Sequence, residues 1–154
     1  MSEWTLEKAL KLALSMEEES IKLYTSAQNK VVNSGSMELL KELVKEEEKH
    51  KSKILEAMRD QEKVKEIGSY EAKIQDLKIV DYLKDVSLSP EAGYQEILIY
   101  AGKREKTTHD FYMELARRYS GEEIGRMFAK LAHEELKHKY RLEQEYDDVI
   151  LKYM

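Results

Sequence analysis

Two stretches of the chain place a histidine three residues after a glutamate, Glu47-x-x-His50 and Glu135-x-x-His138. Each follows a further glutamate, Glu17 or Glu105, and a tyrosine, Tyr24 or Tyr112, at matching distances upstream. An offset of 88 residues superposes one set on the other and also carries Ala13 to Ala101, Leu43 to Leu131 and Lys49 to Lys137. A lone Glu-x-x-His is weak in a glutamate-rich chain, but a duplicated one with duplicated surroundings is a repeat of one structural unit.

The repeat selects among neighbouring acids. In "SMEEESIKLY", Glu18 maps to Lys106 and Glu19 to Thr107, so only Glu17 keeps its carboxylate in both halves. In "EEEKH", Glu48 maps to Leu136, whereas Glu46 and Glu47 both survive, as Glu134 and Glu135. Helical periodicity favours Glu47, which lies four residues after Leu43 and seven after Leu40 on one apolar stripe. By the same spacing Glu17, Glu105, His50 and His138 interrupt the stripes of their own helices.

Four inward carboxylates repel one another and lose hydration, so they need protons or cations. Two divalent ions balance four carboxylates, with two neutral imidazoles completing the set. Oxygen and imidazole donors suit iron or manganese, and zinc is a further option. The alternative is a metal-free bundle that satisfies these groups internally.

Those residues require four long helices. Leu6, Leu10, Ala13, Ile21 and Tyr24 mark a first helix from about Glu3 to Lys30, capped by Ser2 or Thr5. After the "NSGS" break, Ser36 is the expected cap of a second helix running to about Arg59 or beyond. Residues 60–88 read as a crossover containing a shorter helix in "KIQDLKIVDYLKDV". Ser89-Pro90-Glu91 reads as the start of a third helix to about Tyr119, and "SGEE" divides it from a fourth bearing Phe128, Leu131 and Leu142. The expected fold is all-α: a four-helix bundle of two repeated hairpins joined by a long crossover, one domain over residues 1–154.

Composition agrees. The 154 residues include one proline and six glycines, which favours helices over sheet. With no cysteine the chain has no thiolate metal site or redox dithiol, so electrons for any redox chemistry come from an external donor. A net charge of −5 without a basic stripe gives no support to nucleic-acid binding. No run of apolar residues approaches a membrane span and no signal peptide is evident, so the expectation is a cytoplasmic protein, with a homodimer as the expected assembly.

The segments "EEESIKLY" with "EEKH", and "EKTTHDFY" with "EELKH", resemble the rubrerythrin-like branch of the ferritin-like di-iron proteins. The resemblance implies two iron ions held by Glu17, Glu47, His50, Glu105, Glu135 and His138, and reduction of hydrogen peroxide or dioxygen. Iron handling, with Fe(II) as the substrate, is the alternative, and a non-catalytic bundle is a third. Typical rubrerythrins add a rubredoxin-like domain with cysteine-bound iron, for which this chain has no cysteine. They also carry an extra glutamate ligand one turn beyond the third-helix glutamate, a region held here by Thr108 and His109.

Three further residues are candidates for the chemistry. Tyr24 and Tyr112 lie two turns from Glu17 and Glu105 and are placed to orient a ligating carboxylate or to supply a proton or radical, the alternative being core tyrosines. His109, one turn after Glu105, is either a seventh ligand or proton donor, or a histidine on the flank of the stripe. His133 reads as a surface residue.

Overall fold

A computed structural model describes residues 4–66, 73–74 and 88–153. It contains four long helices among the described residues: α1 (Leu6–Ala27), α2 (Ser34–Glu66), α3 (Tyr94–Arg118) and α4 (Glu123–Glu145). Helices α1 and α2 pack as one antiparallel hairpin and α3 and α4 as the other, with α1 set against α3 and α2 against α4. This is the expected all-α, ferritin-like bundle of two hairpins. Among the described residues no helix is long and apolar enough to cross a membrane.

Local chemistry sets the helix ends. Thr5, in extended conformation, caps α1 by accepting the Lys8 N–H at 3.2 Å. For α2 the cap is Asn33 rather than Ser36, because the Asn33 side chain accepts from the Gly35 N–H at 2.7 Å while its carbonyl accepts the Met37 N–H. The third helix also starts later than Ser89-Pro90-Glu91 suggests. Ser89 is used up in a local turn: its hydroxyl oxygen accepts the Glu91 N–H at 3.2 Å and its carbonyl takes the Ala92 N–H at 3.0 Å. Gly93 is then extended (φ −81°, ψ 176°), and α3 begins at Tyr94.

Two glycines shape the turn between α3 and α4. Gly121 has φ +86°, a left-handed conformation that other residues adopt at a cost. At Gly125 a Cβ would lie 2.0 Å from the Tyr119 carbonyl oxygen, so only glycine lets α4 start this close to the end of α3.

The apolar core is divided in two. One block gathers Leu10, Ala13, Ile54, Tyr112, Leu115 and Phe128 with their neighbours. The other gathers Tyr24, Leu40, Leu43, Ile97, Ala101 and Leu142. Helix α1 runs from the first block to the second, α2 returns, α3 again starts at the second block and α4 runs from the first to the second. Because α2 finishes at the first block and α3 starts at the second, about 37 Å of helix away, no tight turn can join them. Lys73–Ile74, the first two residues of the expected crossover helix, instead form a short antiparallel ladder with Trp4–Thr5, in register Trp4 to Ile74. The rest of that expected helix lies outside the described residues.

Candidate metal centre

Between the two apolar blocks, six polar side chains meet. Glu17, Glu47 and Glu135 are fully buried, and His50, Glu105 and His138 are at most 2% exposed. Their ligand atoms fall into two groups, each within 4.8 Å: Glu17, Glu47, His50 and Glu135, and Glu47, Glu105, Glu135 and His138. Glu47 and Glu135 belong to both groups, so each hairpin supplies three members of one group and one member of the other. The two imidazoles stack nearly parallel across the middle, with ring centres 5.7 Å apart and planes inclined by 15°.

Both histidines turn Nδ1 inward. His50 Nδ1 lies 2.7 Å from Glu135 Oε1 and 3.0 Å from Glu47 Oε1, and His138 Nδ1 lies 3.3 Å from Glu47 Oε1. Each Nε2 faces outward onto a carboxylate of the opposite hairpin: His50 on Glu134 at 2.5 Å, His138 on Glu46 at 2.6 Å. A carboxylate on Nε2 keeps a proton there and leaves Nδ1, which faces the centre, as the nitrogen that can ligate once its own proton is displaced. Periodicity sets Glu46 and Glu134 outside the stripe, which is correct for their position but conceals this role. The repeat carries the signal, since both acids survive the 88-residue offset directly beside a buried glutamate.

The tyrosines also exchange partners. Tyr112, on α3, donates its hydroxyl to Glu17 Oε1 on α1 at 2.7 Å, and Tyr24, on α1, donates to Glu105 Oε1 on α3. Both phenols are fully enclosed, and burial followed by the nearby carboxylates pushes their pKa values well above the ordinary range. They stay protonated donors.

Without cations the cluster relies on protons. Burial, then the charge of Glu47, raises Glu17 to about 7 against the pull of His50 and Tyr112. Burial pushes Glu135 up as well, helped by Glu105, Glu47 and Glu17. Burial acts on Glu47 in the same direction, but the His138 and His50 imidazoles outweigh it and hold Glu47 at about 2. Both histidines are raised, because the surrounding carboxylates overcome a desolvation that alone would lower them.

Protons do not satisfy the site. Glu17 Oε2, Glu47 Oε2, Glu105 Oε2 and Glu135 Oε2 are buried with no hydrogen bond. Unbonded acceptors facing one another at this density are costly in a dry interior. Six oxygen and imidazole donors, arranged as two groups with two shared carboxylates, fit a pair of cations.

The remaining candidates lie outside these groups. His109 is half-buried, with Nδ1 2.8 Å from the Ala132 carbonyl oxygen, which fixes the proton on Nδ1. His133 is exposed. Thr108, buried one turn after Arg104, returns its hydroxyl to the Arg104 carbonyl at 2.8 Å. Glu18 pairs with Lys51 at the surface, and Glu19 receives the Arg104 guanidinium at 3.3 Å.

Among known proteins, the family model for rubrerythrin matches residues 8–146. No curated protein and no solved structure matches the chain.

Proposed function

The chain belongs to the rubrerythrin family, and on that premise we propose that it is a di-iron carboxylate oxidoreductase that reduces hydrogen peroxide or dioxygen with electrons from an external donor. The observation that carries the proposal is the pair of buried ligand groups sharing Glu47 and Glu135. When bound, two iron ions would supply two-electron redox chemistry for a peroxide or dioxygen substrate.

The chain's own residues prepare that place. Glu17, Glu47, Glu105 and Glu135 supply four negative charges where two cations belong, and the apolar blocks on either side exclude water. Glu134 and Glu46 hold the two imidazoles in the tautomer that leaves Nδ1 free to ligate. Tyr112 and Tyr24 hold a proton at the hydroxyl oxygen, directly on Glu17 and Glu105. The role of proton donor falls to them in preference to His109, whose Nδ1 proton is spent on a backbone carbonyl. The chain has no cysteine, which supports a separate donor as the source of electrons.

The test is turnover. Iron-loaded protein given a chemical reductant and hydrogen peroxide should consume peroxide repeatedly, and Glu135→Ala should abolish this. Turnover that survives Glu135→Ala overturns the proposal. Many irons per chain accumulating in a large hollow assembly would identify iron storage instead.

A further inference from the structure

The two ligand groups are near copies of each other, but the charges around them are not. Four residues of α2, Glu42, Glu46, Lys49 and Lys53, recur in α4 at the 88-residue offset as Lys130, Glu134, Lys137 and Arg141. Three keep their sign, and Glu42 to Lys130 reverses it. These residues lie at or beside the seam between the antiparallel α2 and α4, where Glu46, Lys49, Glu134, Lys137, His138 and Arg141 line a cavity of about 210 Å³.

The reversal polarises the seam. Arg141 pairs with Glu42 and lies 3.3 Å from Glu46, so the carboxylate behind His138 shares one guanidinium with a second acid. At the other end Lys130 lies one helical turn before Glu134, the carboxylate behind His50, and Lys53 holds in α2 the repeat position that Arg141 holds in α4; after the His50 imidazole, both favour the charged form of Glu134. Two acids and one cation therefore stand behind His138, against one acid and two cations behind His50. Lys49 and Lys137 are copies of each other on the same cavity and favour neither end. Arg104, which stands where the other half has Met16, has its charge paired by Glu19.

We propose that the two metal positions load in order, the Glu105–His138 position first, and that the opposite charges at residues 42 and 130 set this order. The proposal rests on the metal-centre reading above. A divalent cation is favoured by uncompensated negative charge nearby, and an imidazole is a better ligand when its outer N–H meets a carboxylate whose own charge is less neutralised. Glu42 and Lys130 are exposed, so solvent and salt weaken the effect without abolishing it.

Titration of the metal-free protein with Co(II), followed by absorption and calorimetry, tests the order. The expected result is two binding steps on the order of tenfold apart at low ionic strength, drawing together as salt is added. His138→Ala should remove the tighter step and His50→Ala the weaker. Lys130→Glu should tighten the weaker step and Glu42→Lys should loosen the tighter one; both change exposed residues and should leave the helical content intact. Equal steps in the unaltered protein at low salt, or constants unmoved by either charge reversal, overturn the order. Absence of any Co(II) binding overturns the metal-centre reading, and the order with it.

Discussion

The hydroxyl of Tyr112 reaches across from α3 to Glu17 on α1 at 2.7 Å, so a buried carboxylate of one hairpin is oriented by a phenol of the other. Tyr112→Phe removes that donor while keeping the ring that stacks on Phe128, with centres 6.1 Å apart. Since the hydrogen bond lowers the Glu17 pKa, its loss should raise Glu17 above about 7, read from the carboxyl infrared band against pH. Metal affinity should fall by about tenfold to a hundredfold.

Glu46→Gln and Glu134→Gln should leave the fold intact, because both side chains are partly exposed. Each should nonetheless loosen metal binding by about tenfold to a hundredfold, through the histidine it holds. Gln can accept the imidazole N–H but brings no charge. Calorimetric titration with a divalent metal separates the two substitutions, since each should affect the position of its own histidine.

Metal-free protein should lose stability as pH rises. Glu17 has a folded pKa of about 7 against an ordinary 4.5, so the fold holds an extra proton between those values. His50 and His138 are raised above 6.5 and hold extra protons at higher pH. Where the folded state binds more protons than the unfolded chain, stability falls with rising pH, here from about pH 4.5 to 7 through Glu17 and onward above about pH 6.5 through the histidines. Glu47, depressed to about 2, acts in the opposite sense only below pH 4.5. Thermal melts across this range check the trend, and metal-loaded protein should lack it.

Metal must displace those protons. Binding near neutral pH should release about two or more per chain, seen by calorimetry in buffers of different ionisation enthalpy, and affinity should rise with pH. Glu135→Gln sharpens the contrast. In the metal-free protein it removes a buried acid crowded by three others, so the melting temperature should hold or rise, while stabilisation by added metal disappears.

Gly125→Ala should destabilise the protein by about 1–3 kcal/mol, because the new methyl meets the Tyr119 carbonyl and α4 must shift its start. Denaturant unfolding measures the loss. Gly102→Ala, where a Cβ meets nothing, is the matched control.

The inward turn of the six central groups was legible because two independent patterns met on the same residues. Helical spacing set Glu47 on the stripe of Leu40 and Leu43, and the repeat set Glu17 apart from Glu18 and Glu19. Where one pattern was used alone, the reading stopped short. Periodicity removed Glu46 and Glu134 from view, although an acid outside the stripe is well placed to reach over the seam to the histidine of a neighbouring helix. Helix starts were misread where side chains compete for backbone groups: Asn33 took the cap expected of Ser36, and Ser89 closed its own turn before α3 began. These are contests between local hydrogen bonds of similar strength, and residue type alone does not decide them. His109 lies on the correct stretch of helix, but its partner is a carbonyl of α4, a contact that depends on how α3 packs and not on its own sequence.

The contacts among the central ligands, their tyrosines and their outer carboxylates that join the hairpins come as exchanges. Tyr24 serves Glu105 and Tyr112 serves Glu17; Glu134 serves His50 and Glu46 serves His138; Glu47 and Glu135 each enter the other's group. A lone hairpin would own three donors of one ion and lack both the phenol and the carboxylate that aim them. Such a unit is competent only in the company of its double, so two copies tethered in one chain can diverge in surface charge, as residues 42 and 130 have, but not in the residues they lend each other.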